Sequence, residues 1–255
     1  MSDMERWRGR VALVTGASVG IGNATARALV QQGMQVVGCA RNVDKIRETA
    51  AELQQTGAAG RLYPVKCDLT VEAEIRAMFD NIESEHGGVD VCINNAGLAV
   101  NAPLLTGSFE AFRTMTDVNI LAPTLCTQLA VQQMRKRGVD DGHIITLNSM
   151  AGHRFAVVAF YSMTKFAITA MTEGLRRELR EMKSHIRASC ISPAIVETEF
   201  ATRMHEDDPQ RGRDLYASIK CLQAKDIADS VLYILGAPPH VEIHDILMRP
   251  TEQTT

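Results

Sequence analysis

The chain has 255 residues, 45% of them hydrophobic, and a formal net charge of −3. Because there is no basic excess to attract nucleic acid or an anionic membrane, a small molecule is the expected partner. No run reaches the roughly 18 apolar residues that a membrane-spanning helix needs, and no signal segment is recognisable at the N-terminus. We therefore expect a cytoplasmic protein without a membrane span.

The cysteines and histidines give no sign of a metal centre. No two of the six cysteines approach CxxC spacing, and several stand within apolar runs. The seven histidines likewise show no ligand spacing such as HExxH. We expect reduced cysteines in the core and no bound metal.

Short apolar segments alternate with longer segments of helical periodicity along the whole chain. This alternation predicts strands at residues 11–15, 35–39, 60–66, 89–94, 143–148, 186–191 and 241–247. It predicts helices at residues 21–32, 43–56, 71–86, 109–137, 159–182 and 225–235. Strand–helix alternation requires parallel pairing with right-handed crossovers. We therefore predict a single doubly wound α/β domain over residues 1–255, with a seven-stranded parallel sheet and helices on both faces.

One charged segment, residues 195–220, shows neither the strand nor the helix pattern and contains the sequence HEDDPQRGR. A loop of this length is uncommon inside a compact domain and is usually a lid, a binding loop or disordered. We expect this segment to be a loop that covers the substrate.

A glycine-rich segment, TGASVGIG at residues 15–22, directly follows the first predicted strand. Gly16, Gly20 and Gly22 remove side chains where the backbone must turn sharply and approach a pyrophosphate. The N–H groups and the dipole at the N-terminus of the next helix then attract negative charge. A plain structural turn is the alternative, but the order strand, glycines, helix predicts a dinucleotide cofactor.

The end of the second predicted strand bears on the choice between NADP and NAD. The sequence there is VVGCARN, which places Arg41 at the tip and offers no acidic residue. A carboxylate would bind a free ribose 2′-hydroxyl, whereas a guanidinium can bind the 2′-phosphate of NADP through two parallel hydrogen bonds. A solvated surface arginine is the alternative, and Asp44 lies close in sequence. The pattern favours NADP(H) over NAD.

Tyr161 and Lys165 are four residues apart in a predicted helix, so their side chains lie on one face. They follow the fifth strand, where the crevice of such a sheet is expected. A neighbouring ammonium and an oxidised nicotinamide would both favour the phenolate, and lowering a pKa from ~10 to ~7 needs roughly 4 kcal/mol. The pair therefore predicts Tyr161 as a general acid or base.

Six motifs in this order resemble those of the short-chain dehydrogenase/reductase family. They span about residues 11 to 198 and consist of the glycine segment, NNAG at 94–97, Asn119, Ser149, YSMTK at 161–165 and SPAIVET at 192–198. The resemblance implies a Rossmann-type fold. It also implies an NADP(H)-dependent oxidoreductase that acts on CH–OH or C=O groups.

The resemblance also implies roles for individual residues. Ser149 would bind the substrate oxygen, Tyr161 would exchange the proton, Lys165 would bind the nicotinamide ribose, and Asn119 would hold a water linking Lys165 to solvent. A strand-end cap is the alternative for Ser149, and a polar helix residue for Asn119. The implied cofactor contacts, besides Tyr161 and Lys165, are Gly16, Ser18, Gly20, Ile21, Gly22, Arg41, Asp68, Leu69, Asn95, Ala96, Gly97, Pro193, Ile195 and Thr198.

At three positions the sequence makes it harder to assign the family's residue roles to this chain. Ala194 stands where family members commonly have glycine after the proline, so we expect φ < 0 there or a different turn. Ser149 and Tyr161 are 12 residues apart, one fewer than the family pattern, so the segment between them should be tightened. Asp68 would bind adenine by resemblance, but a turn or N-cap aspartate explains it almost as well.

Apolar side chains predict the character of the substrate pocket. They are Phe155, Val157, Val158 and Phe160 between Ser149 and Tyr161, and Phe200 and Met204 at the start of segment 195–220. We expect an apolar carbonyl or alcohol substrate, with His153 as either a substrate contact or a surface residue. Resemblance points to ketosteroids, dicarbonyls or isoprenoids, and to a homodimer or homotetramer. A non-catalytic NADP-binding sensor or scaffold, and an isomerase or epimerase using the same hydride step, are the alternatives.

Overall fold

The sheet is parallel throughout. The structure, a computed structural model, describes residues 4–155, 158–205 and 208–254. Within them the strands are β1 (Val11–Thr15), β2 (Gln35–Ala40), β3 (Arg61–Lys66), β4 (Val91–Asn94), β5 (His143–Leu147), β6 (Arg187–Pro193), β7 (Val196–Glu197), β8 (Leu222–Gln223) and β9 (Asp245–Met248). Seven of them pair in the order β3-β2-β1-β4-β5-β6-β9, and β7 pairs with β8 separately. The predicted doubly wound, seven-stranded parallel sheet is confirmed.

Helices connect these strands. They are α1 (Gly20–Gln31), α2 (Asp44–Gln55), α3 (Glu72–His86), α4 (Phe109–Thr116), α5 (Ala122–Lys136), α6 (Ala159–Glu181), α7 (Phe200–Met204), α8 (Pro209–Ser218) and α9 (Ala224–Leu235). From β1 the chain builds outward through β2 and β3, then returns to place β4 on the other side of β1. This reversal of strand order opens a crevice at the carboxyl ends of the strands, where ligands bind in open α/β sheets.

Alternate strand residues supply two hydrophobic layers, one on each face of the sheet. Val14 and Ile93 pack in a cluster with residues of α1, α2 and α9. Leu13 and Cys92, their sequence neighbours, pack on the opposite face in a cluster with residues of α3, α5 and α6. Strands buried on both faces read as uninterrupted apolar runs, which is why the sequence pattern located them. All six cysteines are free and buried.

The long helix predicted at residues 109–137 is wrong as a single element. It is divided into α4 and α5 by a π-helical segment, Asp117–Leu121, in which the Ala122 N–H donates to the Asp117 carbonyl. Pro123 stands at the second position of α5 and has no N–H, so the Asn119 carbonyl four residues earlier lacks an α-helical partner. π-Helical turns occur frequently at functional sites.

The loop predicted for residues 195–220 is also wrong as to structure. The segment contains β7, α7 and α8, and the two helices pack closely together. A Cβ added at Gly212 would lie 2.7 Å from the backbone nitrogen of Thr202, so the close approach requires glycine. The Tyr216 hydroxyl also accepts a hydrogen bond from the Ala201 N–H (3.0 Å).

The last strand is shorter than the predicted 241–247. β9 begins only at Asp245 because side chains bind the preceding backbone. Arg187 donates to the Val241 carbonyl (3.0 Å), and the Ser189 hydroxyl donates to that of Ile243 (2.5 Å). Hydrogen bonds from side chains thus replace the ladder hydrogen bonds that a longer strand would make.

Candidate active site

The turn after β1 has the backbone shape that its glycines predict. Gly16 and Gly20 have φ angles of 67° and 55°, in the left-handed region that favours glycine. A Cβ added at Gly22 would lie 2.3 Å from the Gly16 carbonyl oxygen and 2.4 Å from Nδ2 of Asn95. No side chain other than hydrogen fits at this position.

The N-terminus of α1 is suited to an anion. Its N-cap, Val19, has extended backbone and no side chain that could accept from the first N–H groups, and the first turn contains no acidic residue. These N–H groups and the helix dipole therefore favour a phosphate ligand. Ser18 is half-buried in this turn, and Ile21 packs partly against the core. The turn and the helix together fit the pyrophosphate of a dinucleotide.

NNAG is bonded directly to the glycine turn. The side-chain amide of Asn95 donates to the carbonyl oxygens of Thr15 (2.7 Å) and Gly16 (3.3 Å). The backbone N–H groups of Asn95 and Ala96 both donate to the hydroxyl of Thr15, each at 3.0 Å. The ends of β1 and β4 are thus held together at the switch point. The sequence analysis assigned no role to Thr15, although its place at the end of a buried strand before the glycines was a signal.

Arg41 and Asp68 lie at the ends of neighbouring strands. The Arg41 side chain is exposed and makes no hydrogen bond or ion pair within the part of the chain that the structure describes. Asp44 instead pairs with Arg47 at 2.7 Å, so it does not neutralise Arg41. Oδ1 of Asp68 accepts from the N–H (3.0 Å) and the hydroxyl (2.8 Å) of Thr70. Leu69 and Ala96 border one small cavity with Thr15.

The turn-aspartate alternative for Asp68 is therefore realised in the structure. The Thr70 N–H, the Thr70 hydroxyl and the charge of Arg41 hold the pKa of Asp68 below its usual range, against a smaller opposing effect of burial. The Asp68 carboxylate is ionised and lies close enough to Arg41 for the two charges to attract each other. An adenine contact by Asp68 stays a prediction.

Ser149 and Tyr161 face one another across the turn that follows β5. Ser149 is the N-cap of a short 3₁₀ helix, Met150–Gly152, and its hydroxyl accepts from the Ala151 N–H (3.1 Å). Burial raises the pKa of Tyr161 to about 12, and a hydrogen bond with the Ser149 side chain acts in the opposite direction. The phenol is therefore protonated at neutral pH. The lower pKa predicted from the sequence requires an oxidised nicotinamide in addition to Lys165, and it stays a prediction.

Lys165 is buried beside Tyr161. Its Nζ lies 5.8 Å from the centroid of the Tyr161 ring and donates to the Leu147 carbonyl at the end of β5 (2.9 Å). Burial lowers the pKa of Lys165 to about 8, with a weaker raising effect from Cys190. Desolvation is thus the largest contribution to the pKa shifts of both Tyr161 and Lys165. Only with a further positive charge nearby would the phenolate be favoured.

Asn119 lies in the π-helical segment and is buried. Its side-chain amide donates to the Leu98 carbonyl (2.8 Å) and to the Thr164 hydroxyl (3.1 Å), and its Oδ1 accepts from the Leu98 N–H (2.9 Å). A Cβ added at Gly97 would lie 3.5 Å from that Oδ1 and 3.7 Å from Nζ of Lys165. Asn119, Gly97 and Lys165 therefore meet at one point.

The segment after β6 reaches the glycine turn. Cγ2 of Thr198 lies 3.2 Å from the position of a Cβ added at Gly20, so Thr198 packs on the turn. Pro193 ends β6, and the Ile195 carbonyl accepts from the Leu222 N–H (3.2 Å). Ala194 is not among the positive-φ residues and donates to the Met248 carbonyl (2.8 Å). The expected φ < 0 is thus observed, and alanine fits this turn.

The predicted pocket wall is realised in part. Val158 is buried, Phe160 stacks on Phe112 with 4.4 Å between ring centroids, and Phe200 lies 5.7 Å from the ring of Tyr161. Phe155 points to solvent, with 73% of its surface exposed. Val157 lies outside the described residues. The ring of Tyr161 is therefore bordered by aromatic surface on the side of Phe200.

His153 has a role that neither alternative anticipated. Its Nε2 lies 2.9 Å from the hydroxyl of Ser192 in β6, and that hydroxyl donates to Asp245 of β9 (3.1 Å). The side chain thus fixes the turn after Ser149 to two strands. Among the described residues, no helix is long and apolar enough to cross a membrane, and no cluster of three or more His, Cys, Asp or Glu side chains could hold a metal.

Comparison with known proteins agrees with this geometry. The chain belongs to the family described as short chain dehydrogenase, which matches residues 10–209, and it is thus a member of an oxidoreductase family. It is 63% identical over 253 residues to dehydrogenase/reductase SDR family member 11 of Gallus gallus, covering 98% of this chain and 99% of the relative.

Two further similarities are informative. A farnesol dehydrogenase of Aedes aegypti is 42% identical over 251 residues, which cover 97% of this chain and 98% of that protein. The solved structure of the closed form of serine dehydrogenase complexed with NADP+ superposes with a TM-score of 0.88 at 29% identity, and the match covers 96% of each chain. The similarity thus extends over nearly the whole chain and is not confined to the six motifs.

Proposed function

We propose that the chain is an NADP(H)-dependent oxidoreductase that passes hydride between the nicotinamide and a carbonyl or alcohol of an apolar small molecule, with Tyr161 as the general acid or base. The observation that carries this proposal is the burial of the Lys165 ammonium beside the Tyr161 ring, at 5.8 Å from its centroid. Burying a charged ammonium costs free energy, so a lysine kept in such a position favours a functional role. Perturbed titratable groups in a crevice are typical of catalytic sites.

The cofactor would lie along the carboxyl ends of β1, β2 and β4. The glycine turn and α1 would bind the pyrophosphate, and Thr198 and Ile195 would border the nicotinamide end. When bound, NADPH supplies the hydride to a carbonyl carbon. Arg41 supports a preference for NADP over NAD because its guanidinium is exposed at the tip of β2 and unpaired among the described residues. The NADP+ in the structurally similar serine dehydrogenase supports the same choice.

Proton transfer follows from the two pKa shifts. Because burial raises the pKa of Tyr161 to about 12, the phenol holds a proton at neutral pH and can donate it to a carbonyl oxygen. The Ser149 hydroxyl would orient that oxygen. Lys165, with a pKa of about 8, would stabilise the phenolate left behind. With Tyr161 protonated and Lys165 charged, the site favours reduction of a carbonyl over oxidation of an alcohol.

The substrate would be apolar because apolar side chains stand beside Tyr161 and just before it in the chain. Phe200 contacts its ring, while Phe160 and Val158 stand just before it in the chain. The name of the related farnesol dehydrogenase supports an isoprenoid alcohol or aldehyde, with ketosteroids and dicarbonyls as the other candidates that the family resemblance offers. Segment 195–220 would cover such a substrate.

The assembly would be a homodimer or homotetramer in the cytoplasm. Three exposed apolar side chains, Leu121 just before α5 and Met163 and Phe166 on α6, support a surface that a second copy would cover. The six buried free cysteines support a reducing compartment. Sedimentation equilibrium of the purified chain measures the oligomeric state directly.

Activity tests the central proposal. NADPH oxidation is followed with farnesal, retinal, a ketosteroid and a dicarbonyl, for the unmodified chain, for Tyr161→Phe and for Tyr233→Phe. Tyr233 is exposed on α9, so the control removes the same hydroxyl away from the crevice. We expect turnover with at least one compound, a loss of about 10²-fold or more in Tyr161→Phe, and no change in Tyr233→Phe.

Other outcomes would contradict the proposal in distinct ways. NADPH binding without turnover on any compound would indicate a sensor or scaffold. A product that is isomeric with its substrate, without net consumption of NADPH, would indicate an isomerase or epimerase. Equal rates in Tyr161→Phe and the unmodified chain would exclude Tyr161 as the proton donor.

A further inference from the structure

A second cavity opens between the turn after Ser149 and the end of β9. It has a volume of about 400 Å³, within the size range of small-molecule sites. Its lining consists of Met150, His153, Arg154, Leu247, Met248 and Arg249. None of the residues assigned above to the cofactor or to proton transfer belongs to this lining.

The lining separates into an apolar part and a cationic part. Met150, Leu247 and Met248 supply aliphatic surface, while Arg154 and Arg249 bring two guanidinium groups. Both arginines are exposed, and neither makes a hydrogen bond or an ion pair within the described residues. Unpaired guanidinium groups at the border of an apolar cavity favour a ligand with an apolar body and an anionic end.

A carboxylate beside this site, that of Asp245, is already engaged. Asp245 accepts from the Ser192 hydroxyl at 3.1 Å, and its Oδ1 lies 3.8 Å from Nε2 of His153. Since the Ser192 hydroxyl donates its hydrogen to Asp245, its oxygen accepts from the Nε2–H of His153. Asp245 is thus directed at His153 and Ser192, and the two arginines keep a positive excess at the cavity.

The same hydrogen bonds hold the cavity in shape. His153 fixes the turn that carries Met150 and Arg154 to β6 and β9, so the two sides of the cavity are joined behind it. A ligand would therefore bind to a largely preformed site and would lose little energy to ordering the protein.

We propose that this cavity binds an amphipathic organic anion, such as a medium-chain carboxylate, at a site separate from the crevice that contains Tyr161. The carboxylate would lie between Arg154 and Arg249, and the alkyl chain would lie on Met150, Leu247 and Met248. The proposal does not depend on turnover at Tyr161.

Calorimetric titration with decanoate and with decan-1-ol tests the proposal on the full-length chain. The two probes share an alkyl chain and differ in charge. We expect one decanoate per chain, bound about tenfold more tightly than decanol, since ionised partners strengthen hydrogen bonds. The double variant Arg154→Met, Arg249→Met should bind decanoate no better than decanol. Arg76→Met removes one positive charge, from an ion pair with Glu72 on α3, and should bind like the unmodified chain.

A third variant locates the bound anion. Leu247 is half-exposed, so Leu247→Trp should leave the fold intact while filling the cavity from the β9 side, and decanoate binding should be lost. Thermal unfolding followed by circular dichroism establishes that each variant is folded. Unchanged decanoate affinity in either the double arginine variant or Leu247→Trp would overturn the proposal. Because binding is measured without NADPH, failure here is distinct from failure of the oxidoreductase function.

Discussion

The side-chain amide of Asn95 donates a hydrogen bond to the carbonyl oxygen of Thr15 over 2.7 Å, and so joins the first residue after β4 to the last residue of β1. The Thr15 hydroxyl receives hydrogen bonds from the backbone of Asn95 and Ala96 in return. Every one of these contacts is made at the point where the strand order reverses. The glycine turn is therefore shaped by β4 as well as by its own sequence.

Asn95→Ala should weaken cofactor binding more than it weakens the fold. It removes hydrogen bonds to two carbonyl groups of the glycine turn, each worth about 0.5–1.5 kcal/mol. We expect the Kd for NADPH to rise about tenfold, as the turn loses its fixed shape. Fluorescence titration of NADPH measures this change. Asn81→Ala, on the exposed surface of α3, serves as the control, and an equal loss of affinity in both variants would contradict the argument.

Gly22→Ala and Gly174→Ala form a second matched pair. A Cβ at Gly22 would lie 2.3 Å from the Gly16 carbonyl oxygen, whereas a Cβ at Gly174 in α6 meets no atom within 4 Å. We expect Gly22→Ala to abolish NADPH binding because the turn must open to admit the methyl group. Gly174→Ala should leave binding unchanged and stabilise the fold by up to about 1 kcal/mol, the difference in helix propensity. NADPH titration and urea denaturation measure the two effects, and intact binding in Gly22→Ala would refute the role given to this glycine.

Arg41→Asp should reverse the choice of cofactor. The substitution places a carboxylate where it can accept hydrogen bonds from a free ribose 2′-hydroxyl and repel a 2′-phosphate. We expect the ratio of kcat/KM with NADPH to that with NADH to fall by about 10²-fold or more, a loss of roughly 2.7 kcal/mol. Arg47→Asp, six residues further along in α2 and paired with Asp44, should leave the ratio unchanged. An unchanged ratio in Arg41→Asp would show that Arg41 is only a solvated surface residue.

Local sequence was sufficient for the sheet and for the shape of the glycine turn. Each central strand is buried on both faces, so an apolar run such as residues 11–15 identifies it without reference to its neighbours. Gly16 and Gly20 could be predicted as turn residues because the need for glycine there depends only on their own positive φ angles. The features that escaped the sequence depend on contacts between distant segments.

Three such features illustrate the limit. In segment 195–220, which was predicted as a loop, Gly212 packs closely against the backbone of Thr202 and so brings two helices together. The bond between His153 and Ser192 joins residues 39 positions apart, and nothing in either segment signals it. The pKa of Tyr161 is raised because the depth of burial, which spacing does not reveal, outweighs the hydrogen bond with the Ser149 side chain.

The pH dependence of reduction should report Lys165 and not Tyr161. Burial lowers the pKa of Lys165 to about 8 and raises that of Tyr161 to about 12, so the ammonium is the first of the two to lose its proton as the pH rises. Reduction needs the phenol protonated and the ammonium charged. Both conditions hold below pH 8, and the second fails above it. We therefore expect kcat/KM for NADPH, which reflects the free enzyme, to fall about tenfold per pH unit above pH ~8.

Lys165→Arg isolates the cause of that decline. A guanidinium stays charged above pH 12, so the variant should be slower than the unmodified enzyme but should show no decline between pH 8 and about 10. Lys165→Met, which has no charge at any pH, should be slower still and equally flat. Initial rates at saturating carbonyl and varied NADPH, from pH 6 to 10, provide the comparison. If the decline near pH 8 persists in Lys165→Arg, another group controls it, and the ammonium is not the charge that stabilises the phenolate of Tyr161.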